Sequence, residues 1–458
     1  MRRFFRVGQA LPLQKQADRA GWGRVLDVLW LIGLALYIVA GYDDVPFHGD
    51  ESTLTYMSGD YYYLVQTRDL DRVLYRDPPL DPAEQELRII NGTVGKMAMG
   101  FAWDMAGLTV FDLNNQWLWD APWDWNISDG HMPGDRLLRA ARLSSTLMLV
   151  ISAWALFGIA RLVGPNRLAA YAASAIYVTT PVVLMNGRRA MFEGSHVCFA
   201  LLALLAAARL VREQGNPGKR RRALVLWSAV FGIMGGFAIA SKHTATITVA
   251  AAGLAVVTDP LVWPGAGSLA QRLRGYNRRR IARFVMIGAL IVLVFLALNP
   301  AWWSDPLGMP ERVLTARQSL LDWQVKGYGG YTGTGERIEG LVNSAFFARP
   351  QYYEVRVWQE YIGDQIDAYQ GKWYAGRGGG PVWGALLVIL FVAGLIGLIP
   401  RWRAGPVWLA LVCLIVTALA LLVTVPLDWQ RYYLPLQAPV AVIAGAGVGF
   451  MTRWVRTK

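Results

Sequence analysis

Two cysteines among 458 residues leave little room for disulfide chemistry. Both, Cys198 and Cys413, fall inside apolar runs, so neither a disulfide framework nor a cysteine zinc site is encoded. Histidine is scarce as well, at four, with no His-x-x-x-His or other paired-ligand spacing. There is no Walker loop and no dinucleotide-binding glycine pattern, which fits a substrate that does not arrive as a free nucleotide. No repeat period or low-complexity tract stands out. Acidic residues are nearly missing from one set of loops, and that gap carries the topology.

What is present is apolar: 54% hydrophobic residues, 20 Trp and a mean hydropathy of +0.30. The apolar residues come in blocks of roughly 18 to 22, long enough as helices to cross a hydrocarbon core of about 30 Å. Ten spans are expected, at about 25–42, 141–160, 167–186, 194–211, 223–240, 243–260, 282–299, 381–399, 405–425 and 432–452. The first lacks a small-residue cleavage pattern and reads as a retained helix.

The net charge of +13 is a product of placement. With the N-terminus inside, the inner segments "MRRFFRVGQALPLQKQADRAGWGR", "ARLVGPNR", "RLVREQGNPGKRRR", "QRLRGYNRRRIAR", "PRWR" and "TRWVRTK" hold more than half of the 45 Lys and Arg. Asp18 and Glu213 are the acids within them. That is the positive-inside pattern of an inner or plasma membrane protein with both termini cytoplasmic. The basicity reports topology, and nucleic acid is not an expected partner.

The expected organisation is an all-α polytopic membrane protein: a module over 1–299 that includes a long outer segment, 43–140, then an outer segment 300–380 of short helices and loops, then helices over 381–458. Within the first outer segment, "TLTYMSGDYYYLVQ" reads as a helix lying on the outer surface. Residues 93–108 are apolar but contain Lys96 and Asp104, and read as a re-entrant or interfacial helix. Aromatic residues crowd the second outer segment, which suits sugars or headgroups and equally suits an interfacial belt. Sequons at Asn91 and Asn126 fall on the outer side.

Asp50 and Glu51 follow the first span directly. Adjacent carboxylates near a low-dielectric region repel, so one holds its proton or both need cations, and a carboxylate so tuned can act as a general base. A solvated acidic turn explains the pair equally well at this stage. Lys96, Arg139, Arg142, Arg188, Arg189, Lys242 and Arg431 are expected near the outer ends of spans, where Arg and Lys bind phosphate or simply anchor a helix. Arg136 and Arg349 read as anchors. Lys242 interrupts the apolar "FAIASKHTATITV", and an ionisable residue in such a place points to function.

These stretches together resemble a family. The first helix followed at once by an Asp-Glu pair is similar to the polyprenyl-phosphate-sugar-dependent glycosyltransferases of the GT-C fold, which include protein O-mannosyltransferases and aminoarabinose transferases. "ARLSSTLMLVISAWALFGIARLVG" resembles that family's second helix. "GRRAMFEGSHVCFALLALLAAARL" resembles its Arg-x-Ala-Met-x-Asp motif, with Glu193 in place of the Asp. "GGFAIASKHTATITVAAAGLAV" resembles its Gly-x-Ala-x-x-x-Lys-x-Thr break, and "WQRYYLPLQAPVAVIAGAG" its late Arg-Tyr-x-x-Pro segment. Of the family's His-Pro-Pro-Leu-Gly-Lys stretch, "NGTVGK" keeps Gly95 and Lys96.

The resemblance implies an inverting membrane glycosyltransferase working at the outer face. One sugar would pass from a polyprenyl monophosphate to a hydroxyl on a glycan, lipid or protein. Asp50 would be the base and Glu51 its neighbouring catalytic carboxylate, positioning the acceptor or tuning Asp50. Lys96, Arg142, Arg189, Glu193, Lys242, Arg431 and Tyr432 would bind substrate. No cofactor is implied, and a divalent metal, conceivable only through His48, Asp50 and Glu51, is not expected. The alternatives are an oligosaccharyltransferase or polymer ligase using a diphosphate donor, and a multi-pass transporter.

Overall fold

Long apolar runs without charge fold as helices in a membrane because no other open structure satisfies the backbone. The computed structural model describes residues 13–215, 221–262, 268 and 277–457, and among these there is no strand. Among the described residues nine helices are long and apolar enough to cross: Gly21–Val39, Asp135–Val163, Phe192–Gln214, Arg221–Ser241, Ala245–Val262, Arg278–Leu298, Pro381–Arg401, Gly405–Thr424 and Gln430–Trp454. The span expected at 167–186 is instead a pair, Arg167–Thr179 and Pro181–Arg188, bent by 61°. Pro181 stands at the break, where it has no amide hydrogen to continue the first helix. Parts of the expected inner segments at the N-terminus, at 209–222 and at 271–283 lie outside the described residues.

Burial ranks the spans. Phe192–Gln214 and Gln430–Trp454 are each 78% buried over their apolar window and form the centre, whereas Arg278–Leu298 is 11% buried and lies at the edge. Arg221–Ser241 fits between Phe192–Gln214 and Arg278–Leu298, and Leu434–Thr457 between Pro381–Leu398 and Arg167–Thr179. Small residues permit the closest approach. A Cβ at Gly394 would lie 1.9 Å from the Ile443 carbonyl oxygen, and one at Gly447 2.0 Å from that of Leu390, so both positions require glycine.

The two long connections make a second layer beyond the helix ends. The expected surface helix is two pieces, a helix Gly49–Met57 and a π-helical turn Tyr62–Thr67. Its apolar side faces protein: Leu54 and Met57 pack with Met99, Ala141 and Phe192. Val94–Met105 is a 12-residue helix, too short to cross. In the second connection Met309–Tyr328 runs 20 residues and rests on the first through Met309, Val313 and Ile89. Phe47 and Trp117 of the first meet Trp358 and Ile362 of the second in another apolar cluster. The layers are joined at one place that matters below: Thr93 donates its amide hydrogen to the Ala240 carbonyl at 2.7 Å, where Arg221–Ser241 ends.

Candidate active site

His48, Asp50 and Glu51 are laid out by a helix start. The His48 ring caps the helix Gly49–Met57, Nδ1 accepting the Asp50 amide hydrogen at 3.1 Å, while the Glu51 carboxylate accepts the His48 amide hydrogen at 3.1 Å. This reciprocal capping satisfies amides that the helix itself cannot, and acids in a first turn also favour the helix dipole. Consecutive positions leave a helix about 100° apart, so the two carboxylates point different ways.

Glu51 turns inward. It is fully buried and accepts from Arg142 Nε and Nη2 at 2.8 Å each and from the Ala190 amide at 2.8 Å. Burial works to raise its pKa, and Arg142 more than reverses this, so the carboxyl stays below its ordinary range. Arg142 is spent on this pair and on the Asp43 carbonyl. Neither lines the cavity described next, so their expected roles in positioning acceptor and binding substrate find no support in their placement.

Asp50 faces a cavity of about 780 Å³ bounded by Glu193, Lys242, Glu354, Arg431 and Tyr432. Arg431 Nη1 donates to the Asp50 carboxylate, and its Nε lies 3.2 Å from Glu354 Oε1. His48 closes the circuit: with Nδ1 occupied as acceptor, its proton sits on Nε2 and is donated to Glu354 Oε2 at 2.6 Å. Burial pushes the Asp50 pKa up, but the Arg431 guanidinium holds it below the usual carboxylate range. Arg431 also overcomes burial at Glu354, and the hydrogen bond from His48 adds to it, so that carboxyl too lies well below its usual range. On another wall Lys242 Nζ donates to Glu193 Oε1 at 2.6 Å.

Lys242 reaches the cavity because the helix breaks there, between Arg221–Ser241 and Ala245–Val262. Gly92 fits against that break so closely that a Cβ would sit 2.1 Å from the Ser241 carbonyl oxygen. Lys96 and Arg189, expected to bind substrate, are buried elsewhere. Lys96 Nζ meets Asp60 at 2.5 Å in a cluster that includes Arg88, and burial lowers the lysine's pKa more than Asp60 restores it. Arg189 holds the carbonyls of Pro46 and Tyr352 at 3.0 and 2.8 Å, tying the strand of chain before His48 to the one before Glu354. Arg188 likewise binds the carbonyls of Tyr37, Ile38 and Tyr374. Arg139 pairs with Asp43 at 3.3 Å, and Arg349 is exposed beside a smaller polar cavity.

Glu354 was not anticipated. A lone acid inside "QYYEVRVW" has no motif, and its only sequence signal is its place in an apolar, aromatic stretch. Thr53, Tyr328 and Trp429, also in the cavity wall, gave no sequence signal either. Asn126, in a sequon, is fully buried and serves as a staple: its side chain exchanges hydrogen bonds with Leu118 at 3.0 Å in both directions, shaping the loop that carries Trp117 and Trp119.

Comparison with known proteins bears on the fold that carries these residues. Residues 107–303 match the family profile of Dolichyl-phosphate-mannose-protein mannosyltransferase, a range that contains Glu193 and Lys242. ArnT from Cupriavidus metallidurans bound to undecaprenyl phosphate superposes with a TM-score of 0.53 at 14% identity, over 95% of this chain and 63% of that one. Archaeal oligosaccharyltransferase AglB from Archaeoglobus fulgidus, in complex with an inhibitory peptide and a dolichol-phosphate, gives 0.53 at 13% identity, over 95% and 51%. No curated protein sequence matches the chain.

The chain is an all-α polytopic membrane protein with the GT-C fold, and the resemblance legible in its sequence is borne out. It spans about two thirds or less of the length of these solved structures.

Proposed function

We propose that this protein transfers one sugar from a polyprenyl monophosphate to an acceptor hydroxyl, with inversion, at the outer face of the membrane. The observation that carries the reading is a partly exposed carboxylate, Asp50, in direct contact with Arg431, in one cavity with Lys242. A base and phosphate-binding cations are the two requirements of such a transfer. The solved relatives named above were captured with undecaprenyl phosphate and dolichol-phosphate, which supports the same class of carrier here.

In this scheme the acceptor oxygen attacks the anomeric carbon as the carbon–oxygen bond to phosphate breaks. Asp50 takes the acceptor proton, and the bonding electrons leave with the phosphate. Arg431 shifts from Asp50 to the phosphate, where a bidentate guanidinium is well matched, and Lys242 adds a second charge. Glu354 keeps His48 and remains a partner for Arg431. No divalent metal enters this scheme, in which Arg431 and Lys242 supply the charge that the leaving phosphate needs and Glu51 stays with Arg142. The test is mass spectrometry of lipids that co-purify with the protein. A bound polyprenyl phosphate or its sugar ester supports the reading; a polyprenyl diphosphate glycan favours the ligase alternative, and absence of any such lipid removes both.

A further inference from the structure

Cations and aromatic rings share the wall of this cavity. Lys242, Arg317 and Arg431 are among its cations. Its rings include Trp119 on the stapled loop, Trp323 and Tyr328 on the helix Met309–Tyr328, and Trp429. Tyr328 and Trp429 have ring centroids 5.8 Å apart, and Trp429 stacks on Tyr432 at 5.7 Å.

These rings flank the reacting carboxylate on both sides. Trp119 lies 5.8 Å from the His48 ring that caps Asp50, and Trp429 lies under the Arg431 guanidinium at 5.3 Å. Trp323 and Tyr328 keep 44% and 37% of their surface exposed, so their faces are open to a ligand. Two polar features accompany them. Asp120 lies in the wall close enough to Tyr328 to add to the rise in the phenol pKa that burial causes. Thr53, one turn beyond Asp50 on the same helix and 8% exposed, carries a buried Oγ1 with no hydrogen-bond partner among the described residues. An orphaned buried hydroxyl in a binding wall is costly unless a ligand completes it.

Flat ring faces with a carboxylate and a hydroxyl at their margin match a pyranose, whose C–H face is apolar and whose rim carries hydroxyls. A phosphorylated acceptor would meet the Asp120 carboxylate in this wall. We infer that the acceptor is a carbohydrate, seated on Trp323 and Tyr328 with a sugar hydroxyl presented to Asp50 beside Thr53. This rests on the transferase reading and narrows its acceptor to a glycan.

The test uses the full-length protein in a detergent with no sugar headgroup. Saturation-transfer NMR is run with trisaccharides of glucose, mannose, galactose and N-acetylglucosamine, and with a Ser/Thr-rich peptide. At least one trisaccharide should receive saturation on its ring C–H protons, with affinity falling about tenfold in Trp323→Ala and Tyr328→Ala. Both side chains are substantially exposed, so both variants should fold; Thr53→Val, which keeps shape and removes the hydroxyl, should weaken the same signal. Undecaprenyl phosphate binding, read in parallel by native mass spectrometry, should be unchanged in these variants. Absence of binding by every trisaccharide, binding that ignores the substitutions, or preferential binding of the peptide would overturn the inference. Loss of undecaprenyl phosphate binding in the unsubstituted protein would instead defeat the donor reading beneath it.

Discussion

Arg431 and Asp50 stand 381 positions apart in the chain, and the guanidinium of one donates directly to the carboxylate of the other. The last span thus closes a site opened just after the first. Arg431→Ala should lower affinity for undecaprenyl phosphate by about tenfold or more, the scale of a charge-assisted contact. Binding measured by native mass spectrometry would show this, and an unchanged affinity would reduce Arg431 to a helix anchor.

The same pair sets a pH profile. Asp50 accepts a proton only while ionised, and in the free protein Arg431 holds its pKa below the usual range, so kcat/KM for the donor should stay level as pH falls to about 5. Arg431→Ala removes the cation but not the burial, and the acidic limb should then move to higher pH. Rates measured between pH 4 and about 8 decide it; identical limbs in both proteins would separate Asp50 from the rate.

Glu51 should behave differently from its neighbour. Glu51→Ala leaves Arg142 buried without its partner, a loss of about 3–5 kcal/mol in comparable buried pairs. Thermal unfolding in detergent should show a clear drop in Tm, while Asp50→Asn should leave Tm nearly unchanged. The sign with pH follows from the depressed pKa of Glu51: its contribution is complete above the unfolded carboxyl value of about 4.3 and is lost as pH falls through the lower folded value.

Gly92 offers a test that touches no charged group. Gly92→Val would place side-chain atoms against the Ser241 carbonyl and push the segment carrying Thr93 away from the break that presents Lys242. Donor affinity should fall although Lys242 remains; full affinity would show that the contact does not place the lysine.

EDTA should not slow transfer, because in this scheme Arg431 and Lys242 supply the positive charge that a metal would bring to the phosphate. Inhibition reversed by a divalent ion would contradict the scheme.

Nine of the ten expected spans were legible because apolar length and charge placement are local properties of the sequence. The bend at Pro181 was not, since a proline inside an apolar run leaves open whether the helix kinks or continues. Asp50, Glu193, Lys242, Arg431 and Tyr432 could be picked out and do line one cavity. Glu51, Lys96, Arg142 and Arg189 could not be told apart from them. A carboxylate or guanidinium reads the same whether it faces a substrate or a buried partner, and only packing distinguishes the two. Glu354 was invisible for the converse reason: what defines it is its contact with His48 and Arg431, far away in the chain.

The most direct measurement follows a labelled sugar leaving its polyprenyl monophosphate in membranes containing the protein or Asp50→Asn. Both should bind the carrier equally, and the variant should transfer slower by about a hundredfold to ten-thousandfold, the range expected for loss of a general base. Transfer at an undiminished rate by a folded Asp50→Asn protein would contradict the account.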